Sequence, residues 1–262
     1  MDITLIFISK FIISILFVLI LSLLVEYSSP RISGLIAGLP TSTALILFFY
    51  GLELGPKFAS ESSIYNLVGM ISIHIFIYFY FITSNKNSKL NIFFSSLVAI
   101  LSYVLTVLLL KNLNFSPLLS FIIPLISIFF FTYLFKNINN SKIKNKIKLT
   151  PKILLVRAIL ASFSILIVTM LAHFLNPNLA GLLSAFPTTI FPLLLIVHNT
   201  YGKEHVHTII KHIPQGQISV VIYVIGIFFL YPLIGIYLGT LISYLLVCLF
   251  LYLFFKIKRR KN

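Results

Sequence analysis

The chain has 262 residues, of which 59% are hydrophobic and only 10% charged, with a mean hydropathy of +1.08. A spanning helix needs about 20 apolar residues, and such stretches follow one another so closely that no soluble domain of useful size fits between them. The formal charge of +15 is confined to short loops, which points to membrane topology and excludes nucleic acid as the natural partner.

Nine apolar stretches are predicted in chain order, at about 3–25, 33–51, 64–83, 91–110, 117–136, 153–174, 179–198, 211–231 and 233–256. The first runs too long for a signal peptide and lacks its basic start and small-residue cleavage site, so it reads as a mature helix. The second carries Gly34, Gly38, Pro40, Thr41, Ser42 and Thr43, and the third carries His74. The fifth is followed by a polar Asn- and Lys-rich linker at 137–150. The sixth ends near His173, and the seventh carries Gly181, Ser184, Ala185, Pro187, Thr188, Thr189 and Pro192. Between the seventh and eighth, 203–212 is polar and reads as a solvated connection. The single Cys248, in the ninth, has no intrachain disulfide partner and reads as a small hydrophobe.

The chain repeats itself. Positions 29–43 return 147 residues later at 176–190, and the register holds without a gap from Lys10/Arg157 to Gly55/Gly202. Internal repeats decide architecture before local reading does. The division is repeat 1 at 1–111, a linker helix with a basic loop at 112–150, and repeat 2 with a basic tail at 151–262. Because the linker helix is unpaired, the two four-helix units enter the membrane from opposite sides. The fold class expected is therefore an all-α polytopic membrane protein of nine spans with two inverted repeats.

Lys and Arg in short loops mark the cytoplasmic side. The 136–157 linker and the 256–261 tail are the densest basic segments, with four stretches between them. This sets the N-terminus outside and the C-terminus in the cytoplasm of a plasma-membrane protein. Seventeen basic residues then fall inside, and Lys10, Lys57 and Lys111 outside.

Proline lacks an N–H and displaces the carbonyl four residues back. Pro40 and Pro187 should free the carbonyls of Ile36 and Leu183 near the bilayer midplane, among the hydroxyls of Thr41, Ser42, Thr43, Thr188 and Thr189. Freed carbonyls at that depth need hydroxyls, water or an ion, an arrangement that secondary transporters use for substrate. The same segments also read as packing motifs, Gly34-x-x-x-Gly38 and Gly181-x-x-x-Ala185. No carboxylate lies in a helix centre. A coupling ion would use hydroxyls, carbonyls or a histidine, with His74, His173 and its repeat mate Glu26 as the groups for a proton or charge role. Lys10 and Arg157, in equivalent second turns, are expected to snorkel to the interface, the alternative being attraction of an anionic substrate. Glu204 and His207 alone are too few for a metal site, and no cofactor fingerprint is present.

Gly181 to Thr189, the apolar run to His198 and the pair Tyr201-Gly202 resemble the motif of the small GlpM-type inner-membrane proteins, each about one such four-helix unit. The resemblance covers 153–202, and 10–55 less fully, where Gly51 stands in place of His198. It implies a membrane protein built as a fused inverted pair of units; it implies no particular activity. Two functions stay open. One is a secondary transporter or permease for a small neutral or anionic solute. The other is a non-transporting membrane factor serving envelope or glycolipid export, with the repeats used only for packing. A membrane enzyme ranks behind both, and oligomeric state is not legible.

Overall fold

The computed structural model describes residues 3–26, 39–139 and 150–260, without the side chains at 3–7, 21–26, 152, 153, 255 and 257–260. Every regular element among the described residues is helical. The first part of the chain gives α1 (Ile3–Glu26), α2 (Thr41–Leu54), α3 (Pro56–Thr83), α4 (Lys89–Leu110) and α5 (Pro117–Leu134). After the linker come α6 (Pro151–Leu171) with a 3₁₀ turn at Ala172–Phe174, α7 (Pro177–Ser184), α8 (Ile190–Tyr201), α9 (Lys203–Gly216), α10 (Ile218–Ile234) and α11 (Ile236–Arg260).

Proline starts many of these helices, because its missing N–H costs nothing in the first turn. Pro56, Pro117 and Pro177 sit there, behind Gly55, Ser116 and Asn176. The Ser116 and Asn176 side chains accept the first free N–H groups of α5 and α7. Gly55 and Gly202, 147 positions apart, both hold positive φ, +95° and +83°. Each ends one helix and begins the next, a reversal that a residue with a Cβ makes only under strain.

Among the described residues, six helices are long and apolar enough to cross a membrane: Pro56–Thr83, Lys89–Leu110, Pro117–Leu134, Leu154–Phe174, Lys203–Ile234 and Ile236–Phe254. The remaining predicted stretches supply shorter apolar helices, Ile8–Ile20, Thr41–Leu54 and Ile190–Tyr201. Helix α3 lies at the centre, packed against α2, α4, α5, α7 and α10, with Leu67, Val68, Met70, Phe76 and Ile77 sealed from solvent. Helices α4, α5 and α11 keep most of their apolar surface exposed, consistent with contact to a lipid bilayer.

One sequence expectation fails here. The segment 203–212 is not a solvated connection but the greater part of α9, with Val206, Ile209, Ile210 and Ile213 fully buried. Those four recur at helical spacing and form a stripe facing the core; the intervening Lys, Glu and His residues disguise it. The 64–83 stretch likewise starts eight residues early, at Pro56, because Ser60, Ser62 and Ser63 are buried rather than exposed.

Candidate functional site

Both Pro-Thr segments make the same tight turn immediately before a helix. Pro40 has φ −73° and ψ 53°, and the Thr41 N–H donates to the Leu39 carbonyl at 2.7 Å. In the second half, the Thr188 N–H donates to the Phe186 carbonyl, also at 2.7 Å. Each is an inverse γ-turn centred on proline, whose fixed φ suits that conformation. Helix follows each turn, with the Ala44 N–H on the Pro40 carbonyl at 3.2 Å and the Phe191 N–H on the Pro187 carbonyl at 2.8 Å.

The two breaks meet. Thr41 Oγ1 lies 3.0 Å from Thr189 Oγ1, and Thr41, Ser42, Thr43, Pro187, Thr188 and Thr189 are all buried. The contact is crossed, since the register mates are Thr41/Thr188 and Ser42/Thr189. Thr188 Oγ1 is buried with no hydrogen-bond partner among the described residues. The Tyr244 hydroxyl of α11 donates to the Pro40 carbonyl at 3.4 Å, adding a third element to the junction.

The carbonyl expected to be freed by Pro187 is not open. The Phe186 N–H donates to Leu183 O at 2.9 Å and the Ala185 N–H to Leu182 O at 3.3 Å, so α7 closes in a tightened last turn. Three residues not singled out from the sequence complete the surroundings. The Tyr103 hydroxyl donates to Leu182 O at 2.8 Å, the Tyr50 hydroxyl to Ala180 O at 3.1 Å, and Asn66 Nδ2 to Ser184 Oγ at 2.7 Å. Asn66 was readable as a lone amide within an apolar stretch. The tyrosines carried no such signal, because aromatic residues are frequent in this chain. Tyr103→Phe should lower stability by about 1 kcal/mol, measured as a thermal shift in detergent; the Ala185 N–H would still occupy the Leu182 carbonyl.

Gly181 and Ala185 serve close packing. A Cβ on Gly181 would lie 2.1 Å from the Ser62 carbonyl oxygen, and a Cβ on Gly69 would lie 2.8 Å from that of Ala185. This is the small-residue approach that the spacing predicts. Gly34 and Gly38 lie outside the described residues, as do Ile36 and the Glu26 side chain.

His74 stands apart from the breaks. It is buried, its Nδ1 is 2.7 Å from Ser127 Oγ, and its ring stacks on Phe131 at 5.1 Å. His173 pairs instead with Glu53, Nε2 to Oε2 at 2.9 Å, and Glu53 also holds Lys10 in an ion pair. Snorkelling is therefore wrong for both basic residues: Lys10 is 6% and Arg157 4% exposed. The sequence hid this because Glu53 lies 43 positions from Lys10 and 120 from His173.

At the other end of α3, Lys203 Nζ donates to Asn85 O at 2.7 Å and Lys211 Nζ to Ile138 O at 2.5 Å. The turn after α3, the start of α9 and the end of α5 thus gather at one end of the bundle. His207 joins them through Ser84 Oγ at 2.8 Å. Among the described residues no group of three or more His, Cys, Asp or Glu side chains comes together to hold a metal. No protein-family model, curated protein or solved structure matches the chain.

Proposed function

We propose that this protein is a secondary transporter or permease for a small neutral or anionic solute, with its site where the two Pro-Thr breaks meet. The observation that carries the proposal is the Thr41–Thr189 contact between identical γ-turn breaks. Broken helices with hydroxyls facing one another are how membrane carriers present polar groups at depth. The full reading has nine spans in two inverted four-helix repeats, akin to a fused pair of GlpM-type units. It sits in the plasma membrane with the N-terminus outside and the C-terminus cytoplasmic. The gathering of Lys86, Lys203 and Lys211 at one end supports that orientation.

The test is a thermal-shift screen of purified protein against small anions, sugars, amino acids and nucleobases, followed by flux in proteoliposomes. A ligand that binds only the folded state raises apparent stability. The response should disappear in a Thr41→Ala/Thr188→Ala variant, and transport unchanged in that variant would overturn the reading. A folded, monodisperse protein silent to the whole panel would instead direct the search to a protein partner by pull-down.

Thr188→Val separates binding from folding. A buried hydroxyl without a partner costs about 1–3 kcal/mol, so removing it should raise the melting temperature of the unliganded protein. If the hydroxyl serves the solute, the same variant should respond less to ligand. Thr41→Val should do the opposite to stability, since it strands Thr189.

A further inference from the structure

We propose that Arg157 is the anion-recognition residue of this protein and takes a small oxyanion, a carboxylate or phosphate group. This deepens the transport reading by naming the charge class of its solute. The argument begins with the register mate, Lys10. Lys10 is buried in the second turn of α1 and is neutralised by Glu53, the penultimate residue of α2. The register carries Lys10 to Arg157 and Glu53 to Thr200, which is again the penultimate residue of its helix, α8. The cation is kept, and a threonine takes the place of Glu53.

Arg157 is as buried as Lys10, yet its Nε and Nη1 have no hydrogen-bond partner among the described residues, which do not include the Glu26 side chain. Its neighbours Ala158 and Ala161 pack on Val18 of α1, so this stretch of α6 faces an apolar helix contact. A guanidinium keeps its charge, and burying an ion without a counter-ion is costly. Its planar fork of donors matches the two oxygens of a carboxylate or phosphate.

Arg157 lies at the far end of α6 from His173. His173, near the end of α6, touches Glu53 at the end of α2. Arg157 lies 16 residues back, about 24 Å along the helix, toward the opposite end where Gly202 abuts Asn87. Thr200 belongs to that same end. The register mate of His173 is Glu26, a second candidate counter-ion that the experiment must separate from a solute.

The experiment follows the melting temperature of detergent-purified full-length protein against inorganic phosphate and acetate, with ionic strength held constant by potassium chloride. Phosphate at about ten times its dissociation constant should raise the melting temperature by about 4 °C. Arg157→Gln should abolish the rise and Arg157→Lys should retain part of it. Thr200→Glu restores the acid of the first repeat; it should raise the basal melting temperature and remove the anion response. Should Arg157→Gln fail to fold, the Thr200→Glu and Arg157→Lys variants still decide the matter.

A response unchanged by Thr200→Glu and by Arg157→Lys would overturn the proposal. So would a response that appears only in Glu26→Gln, because Glu26 would then be the resident counter-ion. Repeating the series in nanodiscs distinguishes the source of the oxyanion. Loss of the phosphate response in phosphatidylglycerol but not phosphatidylcholine assigns Arg157 to a lipid headgroup, whereas a response in both assigns it to a free solute. The Thr41→Ala/Thr188→Ala variant keeps the two readings apart: a phosphate response lost only with Arg157 places anion recognition away from the threonine junction.

Discussion

Gly181→Ala is expected to be the most damaging small substitution in this protein. The new Cβ would stand 2.1 Å from the Ser62 carbonyl oxygen and 2.7 Å from Tyr65 Cβ. Both obstacles belong to α3, the central helix, and one is backbone, so no side-chain rotation relieves the clash. Helix α7 would have to move away from α3 as a unit, carrying the Asn66–Ser184 and Tyr50–Ala180 hydrogen bonds with it. Overpacking a tight core costs about 1–3 kcal/mol and sometimes more, and the lost bonds place this variant at or above about 3 kcal/mol. The measurement is the melting temperature and monodisperse yield in detergent. Gly235→Ala is the control: Gly235 holds φ +81° with nothing within 4 Å of its Cβ position. It should lose only about 1 kcal/mol, through backbone strain. Equal losses in the two variants would show that α7 does not depend on close approach to α3.

Glu53→Gln should be nearly as costly, for an electrostatic reason. The Lys10 and Glu53 side chains are only 7% and 13% exposed, and Lys10 also lies 5.6 Å from the Phe49 ring centroid. Removing the carboxylate charge leaves a buried ammonium uncompensated and alters the hydrogen bond to His173. Breaking a buried pair from one side costs about 3–5 kcal/mol. The double variant Lys10→Met/Glu53→Gln should recover much of that loss, giving a coupling of about 2 kcal/mol in a double-mutant cycle. Lys57 and Glu61 form a pair of the same types at 4.0 Å on the exposed face of α3, and Glu61→Gln should leave the melting temperature unchanged. Additive losses at Lys10 and Glu53 would mean that the pair is not what makes Glu53 important.

These two predictions differ in how far the sequence foretold them. Gly181 and Ala185 stood out as a small-residue motif because helical periodicity puts positions four apart on one face. What they approach, Ser62 and Gly69 on a helix more than 100 positions earlier, had no local sign. Lys10 and Arg157 were visible as a matched pair, but their burial was not. A basic residue in an early turn reaches the interface when that face is open, and other helices cover this one. The stretch 203–212 was misread for a related cause: its charged residues dominated a composition reading, while the buried stripe from Val206 to Ile213 appears only when positions are sorted by helix face.

Membrane affinity, the 147-residue register, the turns at Pro40 and Pro187 and the uneven distribution of lysine were determined by the sequence alone. Each is a property of composition or of residues a few positions apart, where backbone sterics and hydrophobicity act directly. Tertiary structure decided that Thr41 meets Thr189 and not its own mate Thr188, that Glu53 joins Lys10 to His173, and that Arg157 is buried with no hydrogen-bond partner for Nε or Nη1 among the described residues. Those pairings depend on where helices distant in the chain cross and which faces they turn to each other. Every helix presents several faces, and only their mutual packing selects one.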